Sequence, residues 1–173
     1  MAIRKILTEP DPFLRQKSKN VDKVDAETRK LMNDMLDTMY AAPGIGLAAI
    51  QVGVPKRIIV IDLSKEEEKK PLFFVNPKII LKSDNSATYE EGCLSVPGQF
   101  AEIDRPDKCD VNYLDYNGKQ CDLKAEGLLA TCIQHEIDHL EGILFIDYLS
   151  KLKKSFIVKK LSKQKKSLER IVV

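Results

Sequence analysis

The chain's two histidines, His135 and His139, stand four residues apart with Glu136 between them, in the run CIQHEIDHLEG over residues 132–142. On an α-helix, residues four apart lie about 40° around the axis and about 6 Å along it, so both imidazoles can reach one metal ion. Glu136 is turned about 60° from His139, beside such an ion rather than on it, where a general base would hold water. A structural helix with two incidental polar histidines fits the same letters. A catalytic metal takes three protein ligands and keeps one position open, so the third ligand decides between these readings.

Several candidates fail on inspection. An H-E-x-x-H-x-x-G-x-x-H site needs a third histidine six residues after His139, and that position is Phe145. Among later acidic residues Glu141 is too close, and Glu169 sits in a lysine-rich tail beyond Asp147. Cys132 shares the face of His135 and His139, but three ligands strung along one helix close a tetrahedral site poorly: its α-carbon is about 10 Å from that of His139 along the axis. It reads as a small packing residue lining a pocket. Cys109 and Cys121 lie in an alternating, strand-like region. Cys93 stands in YEEGCLSVPG, where Gly92 permits a close backbone approach. Glu90 and Glu91 are placed to orient a histidine ligand from behind. Cys93, His135 and His139 would then leave one position open.

The elements that must position these residues follow from pattern. Asp11 caps a short helix with Pro12 at its first position. A longer helix is expected over 25–42, with Leu31, Met35 and Met39 on one stripe, Met32, Leu36 and Tyr40 beside it, and Pro43-Gly44 as the stop. RIIVIDL (57–63) reads as a strand and LFFVNPKIIL (72–81) as strand material broken by Pro77. Extended structure continues from Ala87 to Lys124, with a hairpin at Asn117-Gly118. The histidine helix should run over 127–141, buried through Leu129, Ile133, Ile137 and Leu140 and ended by Gly142. From about Asp147 a last amphipathic helix is expected, with Leu149, Leu152 and Phe156 on one side. The fold class is α+β: mostly antiparallel sheet around a central metal-binding helix, with N-terminal helices and a C-terminal helix.

Composition narrows the function classes. At 173 residues, 43% hydrophobic and 31% charged, the chain suits one globular domain. No apolar run approaches the roughly 20 residues of a membrane span, and no secretory h-region forms before Glu9, Pro10 and Asp11. The four cysteines contain no C-x-x-C pair, which fits a reducing cytoplasm, or an organelle matrix after removal of a leader. Residues 151–173 hold nine Lys or Arg and one Glu, a balance of +8 against +2 for the whole chain, so residues 1–150 sum to −6. The basic tail is a candidate contact for RNA or another acidic surface, or a solvated helix. GIGLAA (44–49) also satisfies G-x-G-x-x-A, but a helix precedes it and β-branched residues follow, the reverse of a dinucleotide site.

Together, GIGLAAIQ (44–51), EGCLS (91–95) and QHEIDHLEG (134–142) resemble the three motifs of the peptide deformylases, bacterial-type group, in order and approximate spacing. The likeness runs from LTEPDPFLR to Tyr148, so residues 1–148 are expected to form the catalytic domain and 149–173 a basic tail, integral or appended. The resemblance implies hydrolysis of N-formylmethionyl nascent peptides to formate and a free N-terminus. It implies Cys93, His135 and His139 as ligands of one divalent metal, with Fe(II) favoured and zinc, nickel or cobalt compatible. Glu136 would be the general base, and Gln51 with the backbone N–H of Leu94 would hold the oxyanion. Ile45, Leu128, Cys132 and the ring face of His135 would line the methionine pocket, Gly46 and Gly92 would flank an extended substrate, and Arg105 and Asp138 would brace the site. The tail would contact the ribosome; neither membrane nor DNA is an expected partner. Two other readings stay open. An H-E-x-x-H metallopeptidase would cleave unformylated protein, and a non-catalytic ribosome- or RNA-binding module would have no use for Gln51 or Glu136.

Overall fold

The computed structural model describes residues 2–65 and 67–171. It opens with a 3-10 turn, Pro12–Arg15, started by Asp11, whose carboxylate accepts the Phe13 N–H at 2.9 Å. Helix α1 (Ala26–Ala41) is capped in the same way, Asp25 accepting the Thr28 N–H at 2.9 Å. Leu31, Met32, Met35 and Met39 form its buried face.

Seven strands follow: β1 (Gly46–Ala48), β2 (Ile58–Ile61), β3 (Leu72–Lys82), β4 (Ser86–Cys93), β5 (Val96–Pro106), β6 (Lys108–Leu114) and β7 (Gln120–Glu126). Five make an antiparallel sheet in the order β1-β2-β3-β6-β7, while β4 and β5 form a separate hairpin. Helix α2 (Gly127–Leu140) carries the histidines, a 3-10 turn spans Phe145–Tyr148, and helix α3 (Lys151–Ile171) ends the described chain. This is the α+β class that the sequence implies. No helix among the described residues is long and apolar enough to cross a membrane.

Strand β2 shows why its sequence is apolar without alternation. Ile58 and Val60 pack with the methionines of α1, whereas Ile59 and Ile61 pack with Ile133, Ile137 and Leu140 of α2 on the opposite face. Each buried aliphatic side chain contributes roughly 1.5–3 kcal/mol, against about 1 kcal/mol for a typical hydrogen bond. The histidine helix is therefore held chiefly by its apolar side.

Two expectations need correction. Pro77 does not break β3. Asn76 takes a left-handed conformation (φ 52°), and its side chain accepts the Val21 N–H and donates to the Val21 carbonyl, both at 2.8 Å. The ladder to β6 shifts register between Val75 and Lys78, so Pro77, which has no N–H, occupies a bulge. In α3, Leu152 and Phe156 are 68% and 66% exposed; Leu161 is the buried residue, packed with Val96, Ile103 and Leu144 to Ile146. The Asn117-Gly118 hairpin forms as expected, its loop running from Asp115 to Lys119 with Gly118 at φ 82°.

Candidate active site

The hairpin β4–β5 and helix α2 bring the three ligand candidates together. The donor atoms of Cys93, His135 and His139 lie within 4.8 Å of one another, with Cys93 Sγ 3.2 Å from His139 Nε2. His135 Nδ1–H donates to Glu91 Oε2 at 2.8 Å, leaving Nε2 free to face the centre. His139 Nδ1 is buried with no partner. Burial holds His139 below its ordinary pKa and so neutral, the state in which imidazole binds a metal. One soft and two borderline donors converging on one point, with a carboxylate behind one of them, fit a single divalent ion.

Glu91 is fixed in turn by Arg105, whose guanidinium is 4% exposed and forks onto both carboxylate oxygens. The same guanidinium donates to Asp138 Oδ2 at 2.8 Å, and Tyr148 donates its hydroxyl to that oxygen at 2.7 Å. Arg105 and Asp138 thus brace the histidine helix from below. Glu90, one residue from Glu91, is exposed on the other side of the strand.

Glu136 lies against the neck of β1. Its Oε2 is buried without a partner, and burial pushes its carboxyl up to about 7. Gln51 sits across the centre. Its Oε1 accepts the Ala48 N–H at 2.8 Å, which turns Nε2 toward Ser95 Oγ at 3.0 Å and Cys93 Sγ at 3.6 Å. Cys132 is buried beside the site, and burial raises its thiol well above the ordinary value, so it stays protonated, as suits packing rather than ligation.

A cleft of about 330 Å³ opens over these groups. Of the expected ligands, proton carrier, oxyanion donors and substrate-pocket residues, all line it except His139, which is 1% exposed; Arg105 and Asp138 are not among its lining residues.

A buried carboxylate beside converging Cys and His donors at the foot of an apolar cleft suits a metal-assisted hydrolase. The chain matches the family model for polypeptide deformylase over residues 3–155. The chain belongs to the polypeptide deformylase family. It is 70% identical to a peptide deformylase of Pelagibacter ubique, covering all of both chains, and 61% identical to one of Maricaulis maris over 98% of each. The crystal structure of a peptide deformylase from Ehrlichia chaffeensis superposes with a TM-score of 0.92 at 46% identity, covering 96% of this chain and 98% of that one. The chain is accordingly an enzyme that removes N-formyl groups from nascent peptides.

Four residues at this site escaped the sequence reading. Ser95 receives the Gln51 amide, and Thr131 lines the cleft with a buried, unpartnered hydroxyl. Phe100 covers Gly92, and Tyr148 stacks over Arg105 at 4.8 Å. Ser95 had a signal to read in its place in EGCLS, and Thr131 in its spacing of four from His135 on one helix; Phe100 and Tyr148 reach the site through strand pairing and side-chain packing.

Proposed function

We propose that the chain hydrolyses the formyl amide of N-formylmethionyl nascent peptides at Cys93, His135 and His139, with Glu136 as the proton carrier. The observation that supports this most directly is the buried, unpartnered Oε2 of Glu136 beside three converging donor atoms. A divalent ion held by those three side chains supplies Lewis acidity toward water and the formyl oxygen. Glu136 accepts the proton of the attacking water at its free oxygen and delivers it to the leaving amine nitrogen. A carboxyl near 7 can work in both directions at neutral pH. The Gln51 Nε2–H and the Leu94 backbone N–H donate to the oxyanion that develops from the formyl carbonyl, each such donor being worth roughly 3–4 kcal/mol of barrier. Gln51 arrives already oriented, because Ala48 holds its other end. The products are formate and a peptide with a free N-terminus.

Ile45, Leu128 and Cys132, with the ring face of His135, receive the methionine side chain, while the peptide backbone runs extended beside Gly46 and Gly92. We assign Fe(II) as the ion on the family resemblance; a thiolate and two imidazoles would also hold zinc, nickel or cobalt. Residues 1–148 act as the catalytic domain, and the tail over 149–173, with its run of lysines, is assigned to the ribosome.

The test is formate release from N-formyl-Met-Ala-Ser by protein reconstituted anaerobically with Fe(II). Glu136→Ala should retain the ion and lose about 10²–10⁴-fold in turnover. Cys93→Ala should lose both ion and turnover. A Glu136→Ala protein working at the wild-type rate would refute the proton-carrier role.

A further inference from the structure

The substrates of this enzyme are long chains, so the peptide beyond the methionine must leave the cleft along some surface. Phe100 marks the way out. It pairs with Gly92 across the β4–β5 ladder, next to Cys93. Its ring lies so close that a Cβ on Gly92 would come within 2.5 Å of ring carbon Cε1. The glycine therefore seats the ring, yet Phe100 remains 65% exposed. The same side chain borders a second groove, formed by Ala101 and Glu102 of β5 with Leu149, Lys153, Phe156 and Ile157 at the start of α3. Phe156, on the far wall, is 66% exposed. Exposed aromatics of this kind, clustered beside a binding cleft, mark an interaction surface. The one acidic and one basic residue of the groove offset each other, so it suits apolar side chains rather than charge.

We propose that this groove binds the downstream part of the nascent peptide, taking an apolar side chain between Phe100 and Phe156. The groove begins beyond the Phe100 ring, across the ladder from Gly92 and next to Cys93, so a chain advancing about 3.3 Å per residue passes the ring only after its first few residues. The fourth residue of the peptide and its neighbour are the ones assigned to it. The inference rests on the assignment of the reacting centre above and adds a preference for apolar sequence downstream of the formylmethionine.

The test compares kcat/KM of the Fe(II)-loaded full chain on formyl-Met-Ala-Ser, formyl-Met-Ala-Ser-Leu-Phe and formyl-Met-Ala-Ser-Ser-Asn. The apolar pentapeptide should exceed both others by about tenfold, the value of one partly buried side chain. Phe156→Ser, an exposed change on the outer wall, should abolish that advantage and leave the tripeptide within about twofold of wild type. Equal rates on both pentapeptides in the wild type, or an advantage that survives Phe156→Ser, would overturn the proposal while leaving the deformylation reading intact. So would equal rates accompanied by loss of ribosome co-sedimentation in Phe156→Ser, which reassigns the patch to the ribosome. No formate from any of the three peptides would overturn the centre's assignment and this proposal together.

Discussion

Replacing Gly46 with alanine is expected to damage catalysis far more than stability. Gly46 lies in β1 opposite Ile61, and its φ is not in the left-handed region, so the backbone accepts alanine without strain. The added methyl, however, would overlap Glu136 Oε1 and lie 2.9 Å from its Cδ and 3.1 Å from Cys132 Sγ. Carbon and oxygen need more than 3 Å, so the carboxylate must retreat by roughly half an ångström or more. Because that contact is with the end of a side chain, a change of rotamer absorbs it at about 0.5–1.5 kcal/mol. For the proton carrier proposed above, a displacement approaching 1 Å corresponds to up to about a hundredfold in rate, or about 2.7 kcal/mol of barrier. Gly46→Ala should therefore bind its ion and unfold close to the wild-type midpoint, yet release formate at saturating substrate up to about a hundredfold more slowly. The assay is steady-state kcat on formyl-Met-Ala-Ser beside metal content and thermal unfolding. A folded, metal-loaded variant with kcat within threefold of wild type would show that Glu136 does not need the position in which β1 holds it.

Two further outcomes test other parts of the molecule. Glu91→Gln keeps the shape of the side chain that orients His135 and removes its charge, so ion release to a chelator should quicken by about 10–100-fold; an unchanged rate would mean that the histidine is oriented by packing alone. Far from the site, Asp34 is 1% exposed and accepts hydrogen bonds from Lys30, the Ala2 N–H and Arg4, with Lys30 the leading cause of a pKa lowered to about 2. A carboxylate with a lowered folded-state pKa stabilises fully above its unfolded value of about 3.9 and loses that contribution as pH falls toward 2, by about 1 kcal/mol once screening at the exposed lysine is allowed for. The urea midpoint of wild type should therefore fall more steeply than that of Asp34→Asn between pH 4 and 2, and parallel curves would refute the assignment.

The parts of the site legible in the sequence are those in which local geometry alone fixes the relation between residues. His135, Glu136 and His139 share one helix, so the pitch of 5.4 Å determines where they stand relative to one another. The caps at Asp11 and Asp25 are equally local, and the structure contains both. Strand alternation separates Glu90 from Glu91: Glu91 and Cys93, two apart in β4, share a face, and that face meets α2. Other features depend on where the chain goes next. The proline rule concerns a missing ladder N–H, and it misled at Pro77 because Asn76 bulges the strand and clamps Val21, a residue 55 positions away. In α3, periodicity finds an apolar stripe, but the turn Phe145–Tyr148 aims the helix so that Leu161 faces Val96 and Ile103 while Leu152 and Phe156 point outward. That aim follows from Arg15 and Lys154 pairing with Asp147, and from the Asp147 carboxylate accepting the Leu144 N–H. The placements that the sequence does not reveal are therefore mostly those set by a turn, a bulge or a cross-strand register: the outward aim of Phe156 follows from the turn before α3, and the position of Phe100 over Gly92 from the β4–β5 pairing.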